Sequence, residues 1–124
     1  MANRENEVVT LLSSAARTAT VATAGQINKS KTGVIITIDV TAIAATPSVV
    51  FTIQGFDPVS GKYYTILASA AVTGVSTVTM RVFPGCTAAA NVAANDILPR
   101  DWRVNCVHGD ADSITYTVSA ILVG

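Results

Sequence analysis

The residues with the greatest capacity for chemistry lie together in one short segment, His108-Gly109-Asp110-Ala111-Asp112. Two carboxylates and an imidazole at this spacing could hold a hard cation such as calcium, which prefers oxygen ligands. The same residue types are also typical of a tight turn, because Asp and Gly tolerate left-handed backbone and Asp hydrogen-bonds its own backbone. The turn is the favoured interpretation, and we therefore predict no metal site and no cofactor.

Aromatic residues around one turn form a second candidate site. Phe56, Tyr63 and Tyr64 flank the turn signal Asp57-Pro58, and exposed rings beside a loop can bind a sugar or a protein. The favoured alternative is structural, with one ring in the core and another covering a sheet edge. The sugar-binding hypothesis requires these rings to be exposed to solvent.

The two cysteines, Cys86 and Cys106, give no indication of redox chemistry. A cytoplasmic protein keeps its thiols reduced, so we predict two free thiols; the alternative is a disulfide, which requires the fold to bring the two side chains together. Cys106 alternates in phase with Trp102 and Val104, which predicts that all three side chains are buried on one face of a strand.

The rest of the composition argues against several functional classes. Eight basic and eight acidic residues give a net charge of zero, so we predict no nucleic-acid partner. With one histidine and no nucleophile motif or phosphate loop, we predict that the protein is not an enzyme. No apolar run approaches the roughly 18 residues that span a bilayer, and the N-terminus lacks the apolar core of a signal peptide. We therefore predict no membrane partner and synthesis in a cytoplasm.

Strands must position these residues, because strict alternation of apolar and polar side chains recurs along the chain. The clearest example is the segment from Gly33 to Gly55, which holds two alternating runs separated by Pro47. We expect these two runs to pair with each other. The predicted core faces are Val34/Ile36/Ile38/Val40, Val49/Phe51/Ile53, Val78/Met80/Val82, Trp102/Val104/Cys106 and Ile114/Tyr116/Val118.

Turn signals between the strands predict two further pairings. One hairpin joins Ser48–Gln54 to Lys62–Ala68, and a C-terminal hairpin joins Asp101–His108 to Ser113–Val123. Seven or eight short strands of this kind, with turns every eight to twelve residues, are typical of sandwiches and jelly rolls. The fold prediction is therefore an all-β, single-domain antiparallel β-sandwich or jelly-roll-like barrel with an N-terminal arm.

The arm is predicted over residues 1–14, and the β-sandwich domain over residues 15–124. The apolar residues of the arm, Val8, Val9, Leu11 and Leu12, follow a charged start and are too few to bury one another. Segments of this kind are often ordered only against a neighbour, so these four residues are the candidate assembly contacts. An edge strand at about residues 15–23 is expected after the arm, and a first strand packed on its own domain is the alternative.

Four stretches of the chain carry a resemblance to a family of small proteins encoded by tailed bacteriophages. They are residues 50–70, which begin Val-Phe-Thr-Ile-Gln-Gly-Phe-Asp-Pro, residues 81–85 with 95–104, and residues 110–116. The similarity extends over about residues 15–123. Members of this family look like virion structural proteins, and the family has no catalytic motif that could be carried over to this chain.

The resemblance implies a structural protein of the virion, made in the host bacterial cytoplasm. The expected role is that of a head decoration (cement) protein that binds the major capsid protein lattice. Its expected partners are the major capsid protein and sister subunits in a homo-oligomer, with a trimer as one arrangement. Two alternatives stay open, a tail, neck or fibre component of the virion, and a carbohydrate-binding module for adsorption.

Overall fold

The structure is a computed structural model that describes residues 6–124, and all of its regular elements in that range are strands. They are β1 (Glu7–Arg17), β2 (Val21–Ala22), β3 (Gln26–Ile27), β4 (Gly33–Ile43), β5 (Val49–Asp57), β6 (Lys62–Ala68), β7 (Ser76–Val82), β8 (Ala93–Ala94), β9 (Asp101–His108) and β10 (Ile114–Val123). The all-β prediction is confirmed. Between residues 6 and 124 there is no helix long and apolar enough to cross a membrane.

The strands form two sheets that face each other. Sheet A has the strand order β1-β10-β4-β7-β8, and sheet B has the order β2-β9-β5-β6, with β3 also paired to β9. Neighbouring strands are antiparallel except for the short β7–β8 pair, which is parallel. The molecule is therefore a single-domain antiparallel β-sandwich, as the alternating patterns predict.

The core lies between the two sheets and consists of the residues that alternation assigns to the inner faces. Phe51 of sheet B and Tyr116 of sheet A meet edge to face, with ring centroids 5.0 Å apart. All of the predicted core residues are buried except Val78, which is only partly buried. Side chains that alternate between water and core in this way fix which face of each strand points inward.

The predicted hairpin between Ser48–Gln54 and Lys62–Ala68 is confirmed by the β5–β6 pair. The ladder closes at Asp57 opposite Lys62. In the turn, Asp57 Oδ1 accepts a hydrogen bond of 3.1 Å from the Val59 N–H, and Gly61 has a φ of 73°. These are the Asx hydrogen bond and the left-handed glycine that such turns favour.

Two other predicted pairings are wrong. β9 and β10, expected to form a C-terminal hairpin, lie in different sheets, and so do β4 and β5. In both cases the connecting segment crosses from one sheet to the other, and Ala45 in the β4–β5 connection has a φ of 60°. The alternating pattern of a strand shows which of its faces is buried, but it does not show the sheet to which the strand belongs. Two consecutive strands bury the same residues whether they form a hairpin or cross between two facing sheets.

The N-terminal segment differs from the predicted arm. In its described part, β1 runs without a break across the predicted boundary at residue 14 and pairs with β10 from Glu7 opposite Leu122 to Arg17 opposite Ile114. After Arg17 the chain crosses to sheet B, so the strand expected at residues 15–23 is divided between the two sheets. Register shifts between Thr10 and Ala15 obscure the alternation there. Residues 1–5 of the predicted arm, including Arg4 and Glu5, lie outside the described residues.

Candidate assembly surface

The four apolar residues predicted to make assembly contacts point in different directions. Val9, Leu11 and Leu12 are partly buried and pack against the core of their own sandwich. Val8 is 74% exposed and lies opposite Ile121, on the outer face of sheet A. The register therefore separates Val8 from the other three and places it on a surface that a partner can reach.

The outer face of sheet A is built of side chains aligned in rows across four strands. The first row contains Val8, Ile121, Ile35 and Arg81, the second contains Thr10, Ser119, Thr37 and Thr79, and the third contains Thr117, Asp39 and Thr77. Directly opposed side chains of an antiparallel pair lie on the same face and within reach of each other. We call the face formed by these three rows the hydroxyl face.

Charge is sparse on the hydroxyl face and confined to two positions. Asp39 accepts a hydrogen bond of 3.3 Å from the Thr77 hydroxyl, and Arg81 lies at the end of the apolar row. The Ser119 hydroxyl donates at 3.4 Å to the carbonyl of Thr37. Charged residues are depleted at the centres of protein interfaces, and small hydroxyl and aliphatic side chains lose little entropy on burial. The face is therefore suited to contact with another protein.

The hydroxyl face was not predicted, although β4 contains a signal for it. Ile35 occupies the phase of β4 that otherwise carries Thr37 and Asp39, so it is an apolar residue on the polar side of the strand. Ile121 in β10 is a similar exception. A single apolar residue on the polar face of a strand does not by itself indicate a binding surface. Only the register between the strands shows that the two residues are neighbours.

A small pocket continues the apolar row at one end of sheet A. It has a volume of about 240 Å³, and Ile35, Phe83 and Val123 contribute to its walls. Gly33 forms the adjoining backbone, where any side chain would collide with the Val82 carbonyl and the Phe83 ring. The apolar part of the hydroxyl face is therefore concave at this end.

A partly buried polar cluster joins the two sheets near the start of β10. His108 Nε2 and the Tyr116 hydroxyl are hydrogen bonded at 3.0 Å. The Arg17 guanidinium lies 4.7 Å from the centre of the Tyr116 ring and donates to the Tyr116 carbonyl at 2.7 Å. The Cys106 thiol also lies against the Tyr116 hydroxyl. This cluster was not predicted, because its members come from three separate strands.

Burial shifts the pKa values of Cys106, Tyr116 and His108 in the directions that favour their neutral forms. Burial raises the pKa of the Cys106 thiol to about 11 and also raises the pKa of Tyr116. Burial lowers the pKa of His108, against an opposing effect from Asp110. The thiol and the imidazole are therefore both neutral near pH 7, and a neutral thiol is a poor nucleophile. The cluster fastens the end of β1 to the sandwich through Arg17.

The segment 108–112 does not bring its three polar side chains together. His108 is directed at Tyr116, while Asp110 Oδ1 accepts the N–H of Asp112 at 3.1 Å. Asp112 Oδ2 accepts the N–H of Thr46 at 3.3 Å. These bonds belong to the crossing between β9 and β10, as expected of a turn. Among residues 6–124 no group of three or more acidic, His or Cys side chains is placed to hold a metal ion.

The aromatic residues near Asp57 are more exposed than predicted. Tyr63 is 40% exposed and Tyr64 is 48% exposed, so neither ring is in the core, whereas Trp102 is 1% exposed, as predicted. Phe56 lies beside Tyr63, with ring centroids 4.7 Å apart, on the outer face of sheet B. The favoured structural interpretation of a core ring is wrong, because Tyr63 lies on the outer face and Tyr64 at the end of the sandwich.

Both cysteines are free, as predicted. Cys106 is fully buried, and the Cys86 thiol donates to the Ala94 carbonyl at 3.3 Å. They lie on opposite sides of the core, since Cys106 belongs to sheet B and Cys86 follows β7 of sheet A.

Comparison with known proteins gives one structural likeness. The sequence matches no family model and no curated protein. The fold is similar to a chain from the structure of infectious bursal disease virus Gx strain, with a TM-score of 0.45 and 12% sequence identity. The match covers 98% of this chain and 32% of the viral chain, so this chain spans about a third of that chain's length. A likeness at this level carries no argument about function.

Proposed function

We propose that this chain is a structural virion protein of a tailed bacteriophage, a head decoration protein that binds the major capsid protein lattice through the hydroxyl face. The observation that carries the proposal is the sparsely charged outer face of sheet A, with Val8 74% exposed at its edge. The sequence resemblance to phage virion proteins supports the class of partner.

The geometry of the face suits attachment to a shell. Rows of small side chains extend across β1, β10, β4 and β7. A shell presents the same epitope many times, so many subunits can attach in the same way. Repeated weak contacts become strong when sister subunits are linked, because the second contact forms at high effective concentration. Sister subunits in a homo-oligomer, a trimer being one arrangement, would supply that linkage.

The test is binding of the purified protein to shells assembled from the phage major capsid protein, followed by electron microscopy. We expect regular density on the shell and loss of binding in Val8→Asp, which places a charge at the edge of the hydroxyl face. Val107→Asp is the matched control, because Val107 is a 41% exposed strand residue of sheet B. It should bind like the unaltered protein.

The same experiment separates the proposed position from the others. Density on the tail, neck or fibres of complete particles, with bare shells, would show a virion protein at a different position and overturn the head assignment. Equal loss of binding in Val8→Asp and Val107→Asp would show that the hydroxyl face is not the contact surface. Sedimentation of the free protein gives the number of sister subunits.

A further inference from the structure

The outer face of sheet B has a different chemistry from the hydroxyl face. Its aromatic row consists of Phe56 and Tyr63, directly opposed on β5 and β6. Its polar row consists of Thr65, Gln54 and Arg103, which are opposed across β6, β5 and β9. We call the two rows together the aromatic platform.

Arg103 connects the two rows of the aromatic platform. Its guanidinium carbon lies 3.5 Å from the centre of the Tyr63 ring, and its Nε donates to Gln54 Oε1 at 2.8 Å. A guanidinium stacked on a ring and hydrogen bonded to an amide is held in one orientation. The platform is therefore ordered before any ligand arrives. Tyr63 is still 40% exposed in this arrangement.

Several donors on the platform are available to a ligand, because they have no acceptor among the described residues. Within residues 6–124, the terminal nitrogens of Arg103 and the amide nitrogen of Gln54 donate to no protein acceptor. Fixed planar donors beside an exposed ring fit a ligand that offers both hydroxyl oxygens and an apolar face. A pyranose ring has both, because its C–H bonds can lie against the ring while its hydroxyls reach the planar groups.

We propose that the aromatic platform is a saccharide-binding site for surface polysaccharides, with the part of the Tyr63 ring that Arg103 and Phe56 leave exposed as the apolar contact and Arg103 and Gln54 as the hydroxyl-binding residues. The site lies on the opposite sheet from the hydroxyl face, so a subunit attached through sheet A presents it to solvent.

Tyr64 provides a matched control inside the same strand. It lies opposite Gly55, and its ring covers that glycine so closely that any side chain at residue 55 would collide with it. Because neighbouring residues of a strand point to opposite faces, Tyr64 is on the other side of the sheet from Tyr63. The two tyrosines therefore have similar exposure and different surroundings.

The test is an array of bacterial surface oligosaccharides probed with the purified protein, followed by calorimetric titration of the oligosaccharides that bind. We expect binding that falls at least tenfold in Tyr63→Ala and in Arg103→Met, and that changes less than twofold in Tyr64→Ala. Circular dichroism of each variant checks that the sandwich is intact.

Three results would overturn the proposal. The first is the absence of binding to any oligosaccharide on the array, and the second is binding that survives in Tyr63→Ala. The third is a change of sedimentation in Tyr63→Ala, since this would show that the platform is an interface between copies of the chain. All measurements use the free protein, so their outcome does not depend on attachment to a capsid.

Discussion

A single added methyl group at Gly33 tests the packing at the start of β4. Gly33 is buried, and a Cβ there would meet the Val82 carbonyl and lie 2.6 Å from Cδ2 of Phe83. The carbonyl belongs to the neighbouring strand, so it cannot move away without disturbing the β4–β7 ladder. Gly33→Ala should therefore force the two strands apart locally.

The expected cost follows from two opposing effects. Overpacking of a tight site costs about 1 to 3 kcal/mol, while replacing glycine by alanine returns about 0.4 to 1 kcal/mol through the unfolded state. Gly74→Ala is the control, because nothing lies within 4 Å of a Cβ at that position. It should be neutral or slightly stabilising, which leaves a gap of about 2 kcal/mol between the two variants.

Urea denaturation and thermal melting measure this gap. A difference of about 2 kcal/mol corresponds to roughly 6 to 10 °C in melting temperature for a domain of this size. The unfolding slope with urea should be the same in both variants, as expected when only stability changes. If Gly33→Ala is as stable as Gly74→Ala, β4 and β7 do not pack at this distance and the described register is wrong at that point.

Three further predictions concern the core, the polar cluster and the turn. Phe51→Ala should cost about 3 to 5 kcal/mol of unfolding free energy, because Phe51 is fully buried; a larger cost for Thr52→Ala would shift the register of β5 by one residue. Because burial holds the pKa of His108 below its usual 6.5, the unfolded chain takes up a proton first as the pH falls. Stability should therefore decrease below about pH 6.5, and His108→Gln should weaken this dependence in pH-dependent denaturation. Chelator treatment should leave the melting temperature unchanged, since Asp110 and Asp112 are engaged in turn hydrogen bonds; a drop of several degrees restored by calcium would contradict this.

Strand faces could be predicted from the sequence, whereas strand partners could not. The sequence shows clearly which residues of β4 and β5 point inward, because Ile36 and Phe51 each lie among alternating apolar residues. Both side chains are fully buried in the structure. The partners of β10 were not predictable, because β10 pairs with β1 and β4, which are distant in the sequence, and lies in the opposite sheet from its sequence neighbour β9. Pairing across such distances depends on packing of the whole sandwich, and local patterns contain little information about it.

The candidate surfaces were predictable to a similar extent. Val8 was predicted as one of four apolar assembly residues, whereas its separation from the other three and its neighbours Ile121 and Ile35 are recognisable only from the register. The aromatic residues were noticed beside their turn, while the stacking of Arg103 on Tyr63 depends on β9 lying beside β5. Side chains from separate strands meet through topology, which single-sequence patterns do not specify.

The position of β10 has a consequence for synthesis on the ribosome. Ile114–Val123 is the strand that joins β1 to β4, so sheet A stays in two separate pieces until that segment has been made. A nascent chain that stops before Ile114 exposes the pairing edges of both β1 and β4, and open edges of this kind promote aggregation. The sandwich can therefore complete its fold only after β10 has been made, and chains truncated before β10 should be found in inclusion bodies or degraded.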